Sequence, residues 1–304
     1  MSARAAIQLY KAMVLPVLEY GAEIWGNCTW EEAEKLQRSA ARRILGAKQG
    51  TSNAFLVGEL GWWPLSARRD MLRLRFWWKL VNMPQARGVR QVYDYCRQKF
   101  RLSFSAGKKL AKLQKHSMNW CEYTYSLLKE LNMEVLWWTE KLEGFKKWNT
   151  LVYSKIQQRE EGRWKESMAN NVKLEIYRQV KHKLKLELYL LDERSRPGRI
   201  EFGRYRSGSC REEGLIREQR VCKLCGVGVE DVSHVMARCP AYDYDRRVLF
   251  RNIELSCGIK MMECTEEQQM NTFFNTESGT FGATYQHVRK FLMGVRRMRA
   301  LANI

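Results

Sequence analysis

The sequence predicts a mostly α protein, and three observations predict it. Apolar residues recur three and four positions apart over long stretches. Residues that start and stop helices bound those stretches, among them Gly46, Pro64, Pro84 and the pair Pro197-Gly198. Strand signals are weak throughout. The expected order is a Trp-rich helical block over 1–100 and a charged helical linker over 101–198. A small cysteine- and histidine-containing module over 199–250 and a basic helical tail over 251–304 follow.

The elements follow in order. Residues 2–18 carry Arg4 and Lys11 and no acid until Glu19. The stretch has neither the long apolar centre nor the small-residue cleavage site of a signal peptide, so it reads as a first helix. The longest uncharged apolar run, Ala12–Leu18, contains Pro16 and falls short of the ~18 residues a membrane span needs. Thr29-x-x-Glu32 has the form of a capping box, in which the hydroxyl takes an orphan N–H and the glutamate reaches back. Ala33, Leu36, Ala40 and Ile44 continue it at helical spacing, and Gly46 stands where a helix-ending glycine belongs. Pro64 opens the next helix, with the stripe Leu65, Leu72, Phe76, Leu80 and Met83, and Pro84 closes it. Its other faces hold Arg68, Arg69, Arg73, Arg75 and Lys79 against Asp70. A further stripe, Val172, Ile176, Val180, Leu184, Leu188 and Leu191, predicts one helix ending near Pro197. The tail repeats the pattern with Tyr285, Val288, Leu292, Val295 and Met298. Its polar side carries Arg289, Lys290, Arg296, Arg297 and Arg299.

Composition narrows the function. The 304 residues carry 53 Lys and Arg against 33 Asp and Glu, a net charge of +20, which favours a polyanionic partner such as nucleic acid. Nine cysteines scattered along a chain of this length do not make a secreted disulfide framework, so the expected location is nucleus or cytoplasm. The doublets Trp62-Trp63, Trp77-Trp78 and Trp137-Trp138 invite a base-stacking reading. Adjacent residues on a helix lie ~100° apart, however, so the expectation is one ring in the core and one at a second contact.

The strongest chemical signal is Cys222-x2-Cys225-x8-His234-x4-Cys239. Two thiols from one turn, then an imidazole and a third thiol, make a closed set of soft ligands suited to one structural Zn2+. Gly226 and Gly228 follow the second cysteine, where the backbone must fold tightly around an ion. The segment should therefore be folded with metal and disordered without it. Cys28, Cys96, Cys121, Cys210, Cys257 and Cys264 have no partner spacing and read as free thiols; a second site from Cys257, Cys264 and His287 is disfavoured. His116 and His182 read as surface positions.

The run Arg204–Cys210, Arg220-Val-Cys222-Lys-Leu-Cys225, Glu230-Asp-Val-Ser-His234, Cys239-Pro-Ala-Tyr242 and Arg246-Arg247 resembles the zinc-binding tail of non-LTR (LINE-type) retrotransposon reverse transcriptases. Leu9–Gly21 with Glu23 and Trp25, Leu36–Gly46 and Glu59–Leu65 are similar to the same family's segment after the polymerase palm, where the helical thumb begins. The resemblance covers 1–100 and 199–250 and is loose between them. It implies a thumb-like block, a linker and a CCHC zinc module that grips nucleic acid.

The palm's Tyr-x-Asp-Asp motif does not occur in this sequence; Asp243-Tyr-Asp245 beside Tyr242 is the nearest look-alike and reads as a helix start. No Pro-Asp…Asp/Glu-x-Lys nuclease pattern follows Cys239. The expectation is a non-catalytic, nucleic-acid-binding fragment of such an enzyme, from a truncated element copy or a gene model begun at an internal Met. RNA or single-stranded DNA is the expected ligand, met by Arg204, Arg206, Lys223, Arg238, Arg246 and Arg247. A first helix over 3–25 that lacks the palm would leave apolar surface for self-association. The alternative is a helical scaffold or protein-interaction module whose zinc is purely structural.

Overall fold

In the computed structural model, which describes residues 2–28, 30–106, 118–169, 171–192, 195–210 and 220–302, helices dominate as expected. They are α1 Ala3–Leu9, α2 Leu15–Glu19, α3 Ala22–Trp25, α4 Glu31–Leu45, α5 Asn53–Leu60, α6 Leu65–Val81, α7 Gly88–Ser105, α8 Trp120–Glu130 and α9 Glu134–Thr139. Then come α10 Phe145–Ala169, α11 Glu175–Val180, α12 Arg196–Arg206, α13 Asp243–Cys257, α14 Glu266–Phe274 and α15 Phe281–Leu301. Among the described residues only isolated bridges stand in for strands. No described helix is long and apolar enough to cross a membrane.

Local signals explain most boundaries. Pro64 is the N-cap of α6, and Gly46 and Gly61 adopt left-handed φ angles of 63° and 61° just past α4 and α5. Asn119 and Glu122 form a capping box at α8, a signal present in the sequence and not read there. Thr29, the first half of the expected capping box, lies outside the described residues, as does His116. The expected helix over 3–25 is interrupted instead. Pro16 lacks an N–H, the ladder widens to a π-turn at Tyr10–Val14 just before it, and Gly21 at φ 66° restarts the chain as α3.

The helix expected over 172–191 is also replaced. Only Glu175–Val180 is α-helical, and Val172 and Leu188 are exposed. Residues 183–188, Lys-Leu-Lys-Leu-Glu-Leu, alternate with period two as well as sharing helical spacing, and tertiary contacts choose the extended form. Leu186 bridges Leu60, and the Glu187 N–H donates to the Glu59 carbonyl at 2.9 Å. Gly61 permits the approach, since a Cβ there would stand 2.5 Å from the Leu186 nitrogen.

The chain divides into two compact units that take their residues from several sequence segments: 1–10, 38–62 and 164–304 in one, 11–37 and 63–163 in the other. The sequence division at 100, 198 and 250 is therefore not the structural one. The expected linker does not stand apart, because its Trp137, Trp148 and Val152 belong to the same core as Trp77 and its residues from 164 on belong to the other unit.

In the 11–37/63–163 unit, Trp77 stacks on Trp137 at 5.9 Å and meets Trp148 edge-on at 5.6 Å. Its indole N–H donates to Tyr93 Oη at 2.9 Å. Trp77 and Trp137 are buried and their neighbours Trp78 and Trp138 half-buried, the expected split of each doublet. Arg69 and Arg73, expected on an outer face of α6, are buried. Their guanidinium groups lie over Trp25 and Trp30, and over Trp120 and Tyr123, at 4.9–5.5 Å, so aromatic faces replace much of the lost water. Met13, Val17, Tyr20 and Ile24 of the same unit are exposed.

In the other unit, α15 lays Val288, Leu292 and Val295 into a core shared with Phe202 of α12, Leu249 and Ile253 of α13 and Phe273 of α14. Beneath it sits a buried ion network. Arg206 donates to Glu59 at 2.5 Å, to Thr276 Oγ1 at 3.2 Å and to the Phe274 carbonyl at 3.1 Å, and pairs with Glu187 at 3.5 Å. Lys181 bonds Glu187, and Tyr189 donates to Glu59. Two acids and two bases thus neutralise each other.

Candidate metal centre

The cluster is assembled by two short pieces of backbone. Val221 and Val229 form an antiparallel bridge, and the Cys222 N–H donates to the Gly228 carbonyl at 3.1 Å. The intervening turn needs Gly226 and Gly228 at φ 67° and 77°, as their positions after Cys225 led one to expect. The Gly226 N–H closes on the Cys222 carbonyl at 2.8 Å, and the Val227 N–H points at Cys225 Sγ at 3.4 Å. Amide hydrogens facing a sulfur favour its thiolate form.

The second piece is a π-turn, His234–Arg238. Its ladder joins residues five apart, and the Cys239 N–H donates to the His234 carbonyl at 2.6 Å. The five-residue separation of these two ligands is thereby converted into adjacency. Asp231 starts the turn by accepting from the His234 N–H at 2.7 Å. The sequence signal for that role was the aspartate three positions before the histidine.

The four ligand atoms lie within 4.8 Å of one another. Cys222 Sγ and Cys239 Sγ are 3.9 Å apart, and Cys225 Sγ and His234 Nε2 are 3.4 Å apart. A tetrahedral ion with metal–sulfur bonds of ~2.3 Å and metal–nitrogen bonds of ~2.0 Å spaces its ligands by about 3.8 Å (S–S) and 3.5 Å (S–N). A disulfide needs ~2.05 Å, so the sulfurs are placed for a shared ion and not for each other. Cys222, His234 and Cys239 are buried and Cys225 is half-buried. The group can hold a metal ion, and three sulfurs with one imidazole nitrogen are compatible with zinc.

Electrostatics point the same way. Burial pushes the Cys239 thiol up to about 12. Burial also resists ionisation of Cys225, but the Val227 amide and the neighbouring thiols outweigh it and hold its pKa below the ordinary value. Burial lowers the pKa of His234, keeping the ring neutral and able to offer a lone pair. Three crowded sulfurs ionise together only with a cation among them.

The cationic residues divide sharply. Arg206 is 0% exposed, with its donors spent on the Glu59 network, so it is withdrawn from the nucleic-acid set. Arg246 is 5% exposed and donates to the Cys239 carbonyl at 2.6 Å; it steadies a ligand residue and is no surface cation. Arg204 is half-buried against Glu201 at 2.7 Å. Lys223 is exposed. Arg238 pairs with Asp231 at 3.2 Å, and Arg247, largely exposed, pairs with Asp243 at 2.7 Å. Asp243 and Asp245 occupy the first turn of α13, the helix start expected of them. On the tail, Arg289, Arg296 and Arg299 turn to Asp192, Glu201 and Glu230, while Lys290 and Arg297 face outward. Sequence reasoning missed Arg251, one turn beyond Arg247 on the exposed side of α13; the four-residue spacing was its signal.

No family model matches this chain, and neither does any curated protein or solved structure.

Proposed function

We propose that this protein is a non-catalytic nucleic-acid-binding module in which Zn2+ at Cys222, Cys225, His234 and Cys239 shapes a cationic surface. The observation that carries the reading is the convergence of the four soft donors with Lys223, Arg238 and Arg247 standing on or beside the same turns. Zinc suits the set because it takes thiolates and imidazole in tetrahedral array without geometric strain. With no carboxylate or open position in the ligand set, its chemistry when bound is structural. The resemblance of 1–100 and 199–250 to the thumb and CCHC tail of non-LTR retrotransposon reverse transcriptases supports the same reading, and RNA or single-stranded DNA is the proposed ligand.

Phosphate contacts from three cations release counterions, so binding weakens with salt. Gel mobility shift with a labelled single strand should show affinity falling about fifteenfold from 50 to 200 mM salt, a slope of ~2 on log axes. Replacing Lys223 and Arg247 together by Ala should lower that slope by ~1.4, two phosphate contacts. Affinity indifferent to salt would reject the reading.

A second reading, a helical interaction scaffold, draws on the exposed Met13, Val17, Tyr20 and Ile24. It predicts self-association: size-exclusion chromatography should show a species above 36.0 kDa that Val17→Asp with Tyr20→Ser returns to monomer. A parent chain already monomeric at high concentration would remove it.

A further inference from the structure

Beside the metal centre, α13 forms one wall of a groove of about 790 Å³. Arg246, Arg247 and Arg251 project along that wall. Phe250 and Met261 make a buried apolar floor, and Met262 stands opposite, 79% exposed. The arginines of the wall divide by exposure. Arg246 is nearly fully buried and spends Nη2 on the Cys239 carbonyl, yet Nη1, in a residue that lines the groove, has no acceptor. That nitrogen is as enclosed as the rest of the side chain, so Arg246 braces the wall while Arg247 and Arg251 face the opening. Arg251 is exposed to solvent, and the nearby Asp243 is already engaged by Arg246 and Arg247. Arg238 completes the lining with its charge met by Asp231 and Glu266, so the cations facing the groove are chiefly Arg247 and Arg251.

We infer that this groove seats one unstacked nucleotide of a single strand, its phosphate on the exposed Arg247 and Arg251 of α13 and its base against Met262. The inference rests on the nucleic-acid reading above and locates the ligand within it. A volume of several hundred Å³ suits a small planar group and its anionic linker. Arginine donors fix the phosphate, and an apolar side chain takes any base face, because every base has one. The thioether of Met262 is polarizable and can adapt to different rings. A duplex keeps its bases stacked inside and has no face to offer, so the groove selects unpaired strands. Arg246 links the groove wall to the Cys239 backbone, which couples this seat to the metal cluster.

The test uses the full chain loaded with zinc, a short labelled oligouridylate and a blunt duplex of equal length. The single strand should bind about tenfold more tightly than the duplex. Arg251→Gln should weaken single-strand binding about threefold and lower the salt slope by ~0.7, one phosphate contact. Met262→Ser should weaken it about threefold with the slope unchanged, since no charge is lost. Photocrosslinks from 5-iodouridine should map to the peptide containing Met262. Both substituted side chains are exposed, and unchanged thermal melting verifies that the variants fold. Salt-sensitive binding that neither substitution alters, or equal affinity for the duplex, overturns the groove and leaves the broader reading standing. A parent chain that binds neither probe overturns both.

Discussion

Chelation of the metal is expected to unfold residues 220–242 and to loosen the helices packed on them. The turns that carry the ligands have little else to hold them: one bridge, a handful of backbone hydrogen bonds and two glycines in left-handed conformation. Their apolar side chains are not idle, however. Val232, Val235, Met236 and Tyr242 are all buried, and the π-turn packs on α13 and α14. Structural zinc contributes ~10–16 kcal/mol to small folds, as much as the ~5–15 kcal/mol stability of a whole domain. Cys222→Ser should therefore abolish stoichiometric zinc in elemental analysis and expose the peptide bonds near Arg220 and Arg238 to trypsin. It should also lower the melting temperature by more than ~10 °C. Acidification should release the ion as His234 and the thiolates take up protons, beginning below the ordinary histidine value of about 6.5. Protein that carries no zinc, and whose melting is untouched by chelator, would defeat the metal assignment and the function built on it.

Truncating Arg206 should be nearly as damaging, for an unrelated reason. Its guanidinium is fully enclosed, and burial pulls its pKa down; Glu59 and Glu187 outweigh burial and hold it above the ordinary value. Glu59 has the mirror problem. Burial pushes its carboxyl up, and Arg206 is the main opposing influence. Arg206→Met removes that influence and leaves a carboxylate in the interior, at a cost of about 3–5 kcal/mol in urea denaturation. The pH dependence has a definite sign. Without Arg206, the folded-state pKa of Glu59 rises further above its unfolded value. The variant's relative stability is then greatest at low pH and is lost as pH rises through the folded pKa. The deficit against the parent should be smaller near pH 5 than at pH 7. Adding Glu59→Gln to Arg206→Met should recover part of the loss, since an uncharged amide needs no cation. A single variant as stable as the parent would show that the network contributes nothing.

These two experiments fall on different sides of what the residues alone reveal. The ligand set was legible because metal chemistry imposes spacing. Two thiols must share a turn, and residues five apart can meet through one wide turn, so the pattern survives without knowledge of the surroundings. Helical content was legible for a similar reason: caps, prolines and helix-ending glycines act within a few residues. The start of α13 at Asp243 and the split of the Trp77-Trp78 and Trp137-Trp138 doublets came from the same local rules.

Local rules failed where two patterns coexist or where burial reverses the meaning of a side chain. The stretch 183–188 satisfies both a period of two and helical spacing, and only the approach of Leu60 and Glu59 to its backbone selects the extended form. In α4 the buried positions are Ala33, Gln37, Ala41 and Leu45, one residue round from the Leu36–Ala40–Ile44 stripe. Gln37 belongs inside because its amide reaches the Trp63 carbonyl at 2.9 Å.

What the sequence by itself determined is a helical, strongly basic chain with a four-ligand metal motif, because each of those properties is set by neighbours along the backbone. Which arginines face solvent was decided only by the tertiary structure. Arg206 and Arg247 are the same residue type in the same expected module, yet one lies among Glu59, Glu187 and the Phe274 carbonyl and the other in water. A charge goes where its desolvation is compensated, and the groups that compensate Arg206 sit as far as 147 positions away in the chain.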